Sequence, residues 1–241
     1  MGLDYQKLWE RHTKVQLIAG VVLSVTLVSS YSAQSRELDR QHVGLKGAVK
    51  LVREEEAKLK LKFGQLAVGK RAYARSDVYD EAGNLISAES MFRGDLVRMS
   101  YKYEANAERT EISKSGSTMR TRAVLRYDAQ GRRIEEERHD DDGRIRRMLY
   151  TRDASGHIVQ TIRYWDGERG PRATFTYDAD GNVFERVNYN GTEGVEGIER
   201  YSYEFDGAGN WIKRTTSRGV LRRGQITFEP SLVTYRTLTY Y

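Results

Sequence analysis

The stretch Tyr177-Asp178-Ala179-Asp180-Gly181-Asn182-Val183-Phe184-Glu185-Arg186-Val187-Asn188-Tyr189 decides the fold, because it holds one turn and one strand of a repeated pattern. The turn Asp-x-x-Gly also occurs at Asp128 and Asp153, so three such turns follow one another at intervals of 25 residues. A second set of turns falls between them, with glycines at 143, 167 and 191. Turns at this regular short spacing predict an antiparallel β-meander.

The segments between these turns have the composition of strands. Residues 158–164, 183–189 and 198–205 are rich in aromatic and β-branched side chains. In each Asp-x-x-Gly turn the Asp can accept hydrogen bonds from turn amides, and the Gly can take the positive φ of a type I turn followed by a bulge. Segment 48–63 mixes helix-favouring glutamates with strand-like alternation, and we interpret it as a strand.

Side chains alternate between a modestly apolar face and a charged face, which is typical of an antiparallel sheet with one face in water. The sequence therefore predicts an all-β fold. We expect an antiparallel meander of repeated hairpins that forms a long twisted or curled sheet, open or partly closed, preceded by an N-terminal signal helix.

The composition excludes several classes of function. The 241 residues include no cysteine, so the chain has no disulfide, thiolate nucleophile or thiolate metal site. The 40 basic and 34 acidic residues alternate along the chain, which does not favour a nucleic-acid partner. A solvated surface with cross-strand ion pairs accounts for such a mixture of charges.

The first residues resemble an export signal. Three basic residues among 1–14 precede the apolar run 15–28, and small residues follow at 29, 30, 32 and 33. We predict a signal peptide or an uncleaved membrane anchor over 1–33, a linker over 34–46 and a β domain over 47–241. If it is uncleaved, the segment 15–33 is the chain's one contact with a membrane. The expected location is exported, which covers the periplasm, the cell surface and secretion.

Four segments carry the motif Tyr/Phe-Asp-x-x-Gly, and these segments resemble the YD repeats of the Rhs family. They are Tyr79–Asn84, Tyr127–Gly131, Tyr177–Asn182 and Phe205–Trp211. The segments 44–50 and 209–214 are similar to the ends of short, exported bacterial proteins built from such repeats. The resemblance covers roughly residues 44–241. It implies a spiralling β-sheet shell, and the short relatives imply an exported location without an assigned reaction.

Four further motifs have a functional and a structural interpretation. His139-Asp140-Asp141-Asp142-Gly143 and Asp178–Asn182 offer oxygen ligands that calcium prefers, Arg93-Gly94-Asp95 matches the integrin-recognition tripeptide, and Asn190-Gly191-Thr192 is a glycosylation sequon. All of them fall in phase with the hairpin turns, so the structural interpretation is favoured for each. We predict no metal site and no cofactor.

Aromatic side chains near the turns are the predicted ligand-binding residues. They lie at equivalent positions of the repeats, where rings beside arginines can stack on sugars or contact a peptide. They are Tyr164, Trp165, Tyr189, Tyr203 and Trp211. The alternative is that these residues stabilise the sheet by cross-strand pairing.

No catalytic motif is recognisable in the sequence, so we predict a protein that is not an enzyme. The leading hypothesis is an exported β-repeat protein with a structural or binding role at the cell envelope or outside the cell. Its partner would be an envelope or extracellular protein or glycan, bound on the sheet or at an edge near Val233–Tyr241. The alternatives are a hydrolase of envelope polysaccharide that uses paired carboxylates, and a shell fragment associated with a toxin or a secretion system.

Overall fold

The computed structural model describes residues 36–62, 65–104, 108–115 and 117–241. The signal peptide predicted over 1–33 lies outside the described residues. Within the described residues there are one short helix and fifteen strands. They are α1 (Asp39–His42), β1 (Val49–Lys62), β2 (Gln65–Val68), β3 (Ala72–Tyr79), β4 (Leu85–Phe92), β5 (Asp95–Tyr103), β6 (Glu108–Ser115), β7 (Ser117–Tyr127), β8 (Arg133–Asp140), β9 (Ile145–Arg152), β10 (Ile158–Trp165), β11 (Glu168–Tyr177), β12 (Val183–Tyr189), β13 (Val195–Phe205), β14 (Trp211–Arg222) and β15 (Gln225–Tyr240).

The strands form a closed antiparallel barrel. From β3 to β15 each strand pairs with the next strand in the chain, and β1 pairs with both β3 and β15. The closing pair runs from Val49 opposite Tyr240 to Lys58 opposite Leu232. Fourteen strands therefore make the barrel, while β2 pairs with the far end of β1 as one extra strand.

Closure corrects two expectations from the sequence. The prediction of a long curled sheet, open or partly closed, is wrong because β15 and β1 are hydrogen-bonded along most of their length. The predicted edge near Val233–Tyr241 is also wrong, since β15 has β14 on one side and β1 on the other.

The repeated turns have the geometry that their sequence indicates, and each is followed by a bulge. Asp178 Oδ1 accepts hydrogen bonds from the amides of Asp180 (3.0 Å) and Asn182 (2.8 Å), and Gly181 has a φ of 80°. The register shifts between Thr176 and Tyr177, directly beside this turn. Similar shifts lie beside the turns after β3, β7 and β13. Because bulges bend strands and increase their twist, a row of them at one end helps to curl the sheet into a barrel.

Strand alternation assigns one face of every strand to the lumen. Paired residues face the same side, and this assignment stays in phase from β1 round to β15 and back to β1. The face that carries Arg109, Glu111 and Glu136 must be the lumenal one, because these charged residues are only 3%, 5% and 7% exposed. Charged residues therefore line part of the interior as well as the outer wall.

Residues 36–48, here called the plug segment, run across the barrel end that carries the Asp-x-x-Gly turns. The amide of Glu37 donates to the carbonyl of Gly131 (2.7 Å), and the amide of Arg40 donates to that of Gly83 (3.0 Å). Lys46 donates its amide to Asn210 Oδ1 (2.8 Å). These contacts reach turns on separate parts of the rim, so the segment crosses this end of the barrel. The linker predicted over 34–46 contains most of this segment.

Asp39 in α1 anchors the plug segment inside the barrel. Its carboxylate accepts hydrogen bonds from Arg133 Nη2 (2.7 Å), Arg109 Nη1 (3.3 Å), the Leu85 amide (3.0 Å) and the Tyr103 hydroxyl. Burial alone would raise the pKa of Asp39, but the two guanidinium groups and these hydrogen bonds more than offset it, so the pKa is lowered. The carboxylate thus neutralises two buried cations.

An apolar cluster lies beside this network, where β1, β3 and β4 meet the plug segment. It consists of Leu45, Val49, Val52, Tyr79 and Leu85, with Tyr101 and Leu238 packed against it.

Over the described residues, no helix has the length and apolar character needed to cross a membrane.

Asp39→Asn is expected to lower the free energy of unfolding by about 3 kcal/mol, because Arg109 and Arg133 remain buried without their shared carboxylate. Urea denaturation at pH 7 measures the change. The matched control is Glu89→Gln, which removes an exposed ion pair with Arg98 (2.8 Å) and should cost no more than about 1 kcal/mol. Equal losses in both variants would show that Asp39 does not anchor the segment.

The pH dependence provides a check on the same contact. A carboxyl whose pKa is lowered on folding contributes its full stability above its ordinary value of 3.8, and that contribution is lost as the pH falls through the folded value. The difference in stability between the unmodified chain and Asp39→Asn should therefore shrink as the pH is lowered below 3.8.

Candidate functional site

A cavity of about 430 Å³ lies in the lumen next to the plug segment, and we call it the plug cavity. Plug residues 41–44 form one side, and side chains from β9 to β15 form the rest. Its lining includes four arginines, Arg152, Arg186, Arg214 and Arg236, and no aspartate or glutamate. A site with several cations and no lining carboxylate has the electrostatics of an anion site.

Two of the four arginines have carboxylate partners outside the lining. Arg236 Nε donates to Glu54 Oε1 at 2.7 Å, and Arg152 Nη2 donates to Glu37 Oε2 at 2.7 Å. The Arg236 guanidinium also lies over the ring of Trp211, with its Cζ 3.4 Å from the ring centroid. Burial lowers the pKa of Arg236, although Glu54 acts in the opposite direction. These contacts fix both side chains in place.

The other two arginines have no carboxylate partner among the described residues. Arg214 packs between the rings of Tyr201 and Trp211, 5.2 and 4.9 Å from the centroids, and Arg186 lies 5.9 Å from Phe175. The Nε atoms of both arginines are buried and have no hydrogen-bond acceptor. Buried donors without partners are costly to a protein and point to a missing acceptor.

The aromatic rings of the cavity position the arginines. Trp211 is covered by Arg236 and also contacts Arg214, and the Tyr203 hydroxyl donates to the carbonyl of Val183 at 2.8 Å. Burial raises the pKa of Tyr203 to about 12, so this hydroxyl stays protonated at neutral pH. Because the guanidinium groups occupy the ring faces, the cavity suits an oxyanion better than a stacked sugar ring. Guanidinium N–H groups fit carboxylate, phosphate and sulfate oxygens.

The structure brings together only two of the five predicted ligand-binding residues. Tyr203 and Trp211 both line the plug cavity, with ring centroids 6.1 Å apart. Trp165 also faces the lumen by strand alternation, but it lies near the opposite end of the barrel and is 43% exposed.

The remaining two predicted residues face outward. Tyr164 lies under Arg147, whose Cζ is 5.3 Å from the ring centroid, and Tyr189 lies under Arg172 at 3.6 Å. Equivalent positions in the repeats thus fall on different faces of the wall, and the five residues do not form one site.

Sequence reasoning missed the arginines of the lumen. Arg186 and Arg214 each lie four residues after the Asn that ends an Asp-x-x-Gly-Asn turn. The same position holds Ala88, Glu136 and Thr161 in earlier repeats. Two arginines at one inward position of consecutive Asp-x-x-Gly-Asn repeats were the available signal, although its meaning depends on knowing which face is enclosed.

Most carboxylates of the interior are held by arginines. Glu136 accepts hydrogen bonds from Arg138 Nε (2.6 Å) and Arg109 Nη2 (2.7 Å). Burial would raise the pKa of Glu136, but the surrounding arginines lower it overall. Asp77 differs, since burial raises its pKa despite the contact with Arg75 Nε at 2.7 Å.

The turn motifs that offered alternative functions have local partners. Asp140 contacts Arg146 Nη2 at 2.6 Å, and Asp142 contacts Arg144 Nε at 2.8 Å. Arg93 and Gly94 form the turn between β4 and β5, and Asp95 begins β5 opposite Phe92. Asn190 Oδ1 accepts a hydrogen bond from the Gly194 amide at 2.8 Å. In the part of the chain that the structure describes, no three His, Asp or Glu side chains are grouped so as to hold a metal ion.

Comparison with known proteins gives a similarity of fold only. No family model matches the chain, and no curated protein matches it. Among solved structures, the chain is similar to a porin-like protein from Bacteroides uniformis, with 11% sequence identity and a TM-score of 0.48 over 80% of this chain and 99% of that one. The strand pairing of this chain, and not this similarity, defines the barrel.

Arg214→Met is expected to leave the free energy of unfolding unchanged or to raise it, because the substitution removes a partly buried charge that has no carboxylate partner. Urea denaturation measures the change. Arg236→Met is the matched control, and it should lower the free energy by about 2 kcal/mol because Glu54 loses its ion pair. Similar losses in the two variants would mean that Arg214 is a structural residue.

Proposed function

We propose that this chain is an exported, non-enzymatic β-barrel protein that binds an anionic ligand in its lumen, at the cell envelope or outside the cell. The observation that carries the proposal is the plug cavity, with four arginines and no carboxylate in its lining. The unpartnered Nε atoms of Arg186 and Arg214 supply donors that a bound oxyanion would satisfy.

The charged side chains of the outer wall favour a barrel that is surrounded by water. Outward-facing side chains form ion pairs between neighbouring strands, as in Arg98–Glu89 (2.8 Å) and Arg200–Glu185 (2.9 Å). A charged side chain on the lipid-facing wall of a membrane barrel costs about 2–4 kcal/mol at the bilayer midplane. We therefore infer that any attachment to a membrane would depend on residues 15–33.

The resemblance to YD repeats remains a hypothesis about relationship. The Asp-x-x-Gly turns favour it, while the closed barrel differs from the spiralling shell that the resemblance implies.

The binding proposal is tested by isothermal titration calorimetry of the full chain with inorganic phosphate, sulfate and acetate, using chloride at matched ionic strength as the reference. At least one oxyanion should bind with a Kd of about 1 mM or tighter. The double variant Arg186→Met/Arg214→Met should weaken this binding at least about tenfold, because it removes both free guanidinium groups.

The control for charge is Arg98→Met/Arg126→Met, which removes two arginines from the outer wall and should not change the affinity. Binding no stronger than that of chloride, or equal losses in both double variants, would contradict a lumenal anion site.

Export is tested by expressing the full chain in a Gram-negative host and separating periplasm, membranes and cytoplasm. We expect the protein in the periplasm or medium, with an N-terminus that follows residue 30, 32 or 33, or in the membrane fraction if the segment stays uncleaved. Recovery of the intact chain in the cytoplasm alone would refute export.

A further inference from the structure

The plug cavity continues into two more lumenal cavities through shared arginines. A second cavity of about 430 Å³ has Arg163, Arg186 and Arg218 in its lining, and a third of about 350 Å³ has Arg138, Arg146 and Arg163. Arg186 therefore lines the plug cavity and the second cavity, and Arg163 lines the second and the third. The three cavities form one series along the wall from β8 to β15.

Cations exceed anions in the lining of every cavity of the series. Among the side chains that face the lumen, Arg163, Arg186 and Arg218 line the second cavity with Glu199, and Arg138, Arg146 and Arg163 line the third with Glu136. Arg163, like Arg186 and Arg214, has no carboxylate partner among the described residues. The Nε of Arg146 is buried without an acceptor, although its Nη2 contacts Asp140 at 2.6 Å. Unused guanidinium donors thus recur through the series.

Arg163, Arg186 and Arg214, here called the arginine row, are regularly spaced. They lie on β10, β12 and β14, so each is two strands from the next. Arg186 pairs with Glu199, which pairs with Arg218, so Arg186 and Arg218 lie level in the barrel wall. Arg214 precedes Arg218 by four residues on β14 and therefore lies four residues nearer the plug segment than Arg186. Thr161 pairs with Ala173, which pairs with Asn188, so Thr161 lies level with a residue two positions beyond Arg186. Arg163 lies two positions further again, and is therefore four residues further from the plug segment than Arg186.

This spacing decides how large the ligand must be. Two strands and four residues separate neighbouring Cα atoms of the arginine row by roughly 16 Å along the wall. A single phosphate or carboxylate in the plug cavity can contact Arg186 and Arg214 but not Arg163, which does not line that cavity, whereas a chain of anionic groups can contact all three. Linked contacts of this kind raise affinity well above that of any one contact.

We propose that the lumenal ligand is a linear polyanion, a chain with repeated phosphate, sulfate or carboxylate groups, that lies along the arginine row. The inference rests on the proposed function and specifies the class of ligand. A polyphosphate and an acidic polysaccharide share this chemistry, and the experiment separates them.

The test is calorimetry of the full chain with two series of ligands at fixed ionic strength. One series is orthophosphate, tripolyphosphate and a polyphosphate of about 15 units, and the other is galacturonate and its trimer and octamer. In at least one series the affinity of the protein for one ligand molecule should rise at least about a hundredfold from the shortest to the longest member. The series that shows the rise identifies the source of the polyanion.

Arg163→Met should weaken binding of the longest ligand at least about tenfold, while the outer-wall control Arg98→Met should leave it unchanged. Urea denaturation confirms that both variants are folded. Affinity that is independent of chain length, or an equal effect of the two variants, overturns the polyanion even if phosphate binds. Failure of every ligand in both series, together with phosphate, sulfate and acetate, overturns the proposed function itself.

Discussion

The pairing of the first barrel strand with the last is the constraint on which the rest of the structure depends. An open meander would leave two long rows of unpaired backbone groups, and β1 and β15 remove both by pairing with each other. Closure also gives each strand one face toward a lumen and one toward the surroundings. The same Arg or Glu therefore has a different role according to its position in the alternation.

The interior combines two ways of placing charges. Near β6 and β8, Arg109, Glu111 and Glu136 form a network with Asp39 in which cations and carboxylates neutralise each other. Across the lumen, near β12 and β14, Arg186 and Arg214 are held by rings and lack carboxylates. The first arrangement stabilises the barrel and attaches the plug segment, and the second leaves hydrogen-bonding capacity unused.

The local structure could be read from the sequence, because turns and strands depend on short-range chemistry. The Asp178 turn and its glycine have the geometry that their residue types require. Closure could not be read in the same way, because it depends on strand number and on a pairing between Val49 and Tyr240, residues far apart in the chain. Without closure, the lumenal arginines could not be separated from those of the wall, so Tyr203 and Trp211 could be predicted as ligand-binding residues but their arginine neighbours could not.

The pairing between β1 and β15 also joins the two most distant parts of the barrel sequence. Glu54 and Arg236 are 182 residues apart in the chain, and both contribute to the environment of Trp211. Hairpins between consecutive strands can form early, whereas contacts of such long range form slowly. The lumen does not exist until the final strand is in place, so the arginine row is not enclosed before then. A chain that is truncated before β15 retains most of its hairpins and has no enclosed site.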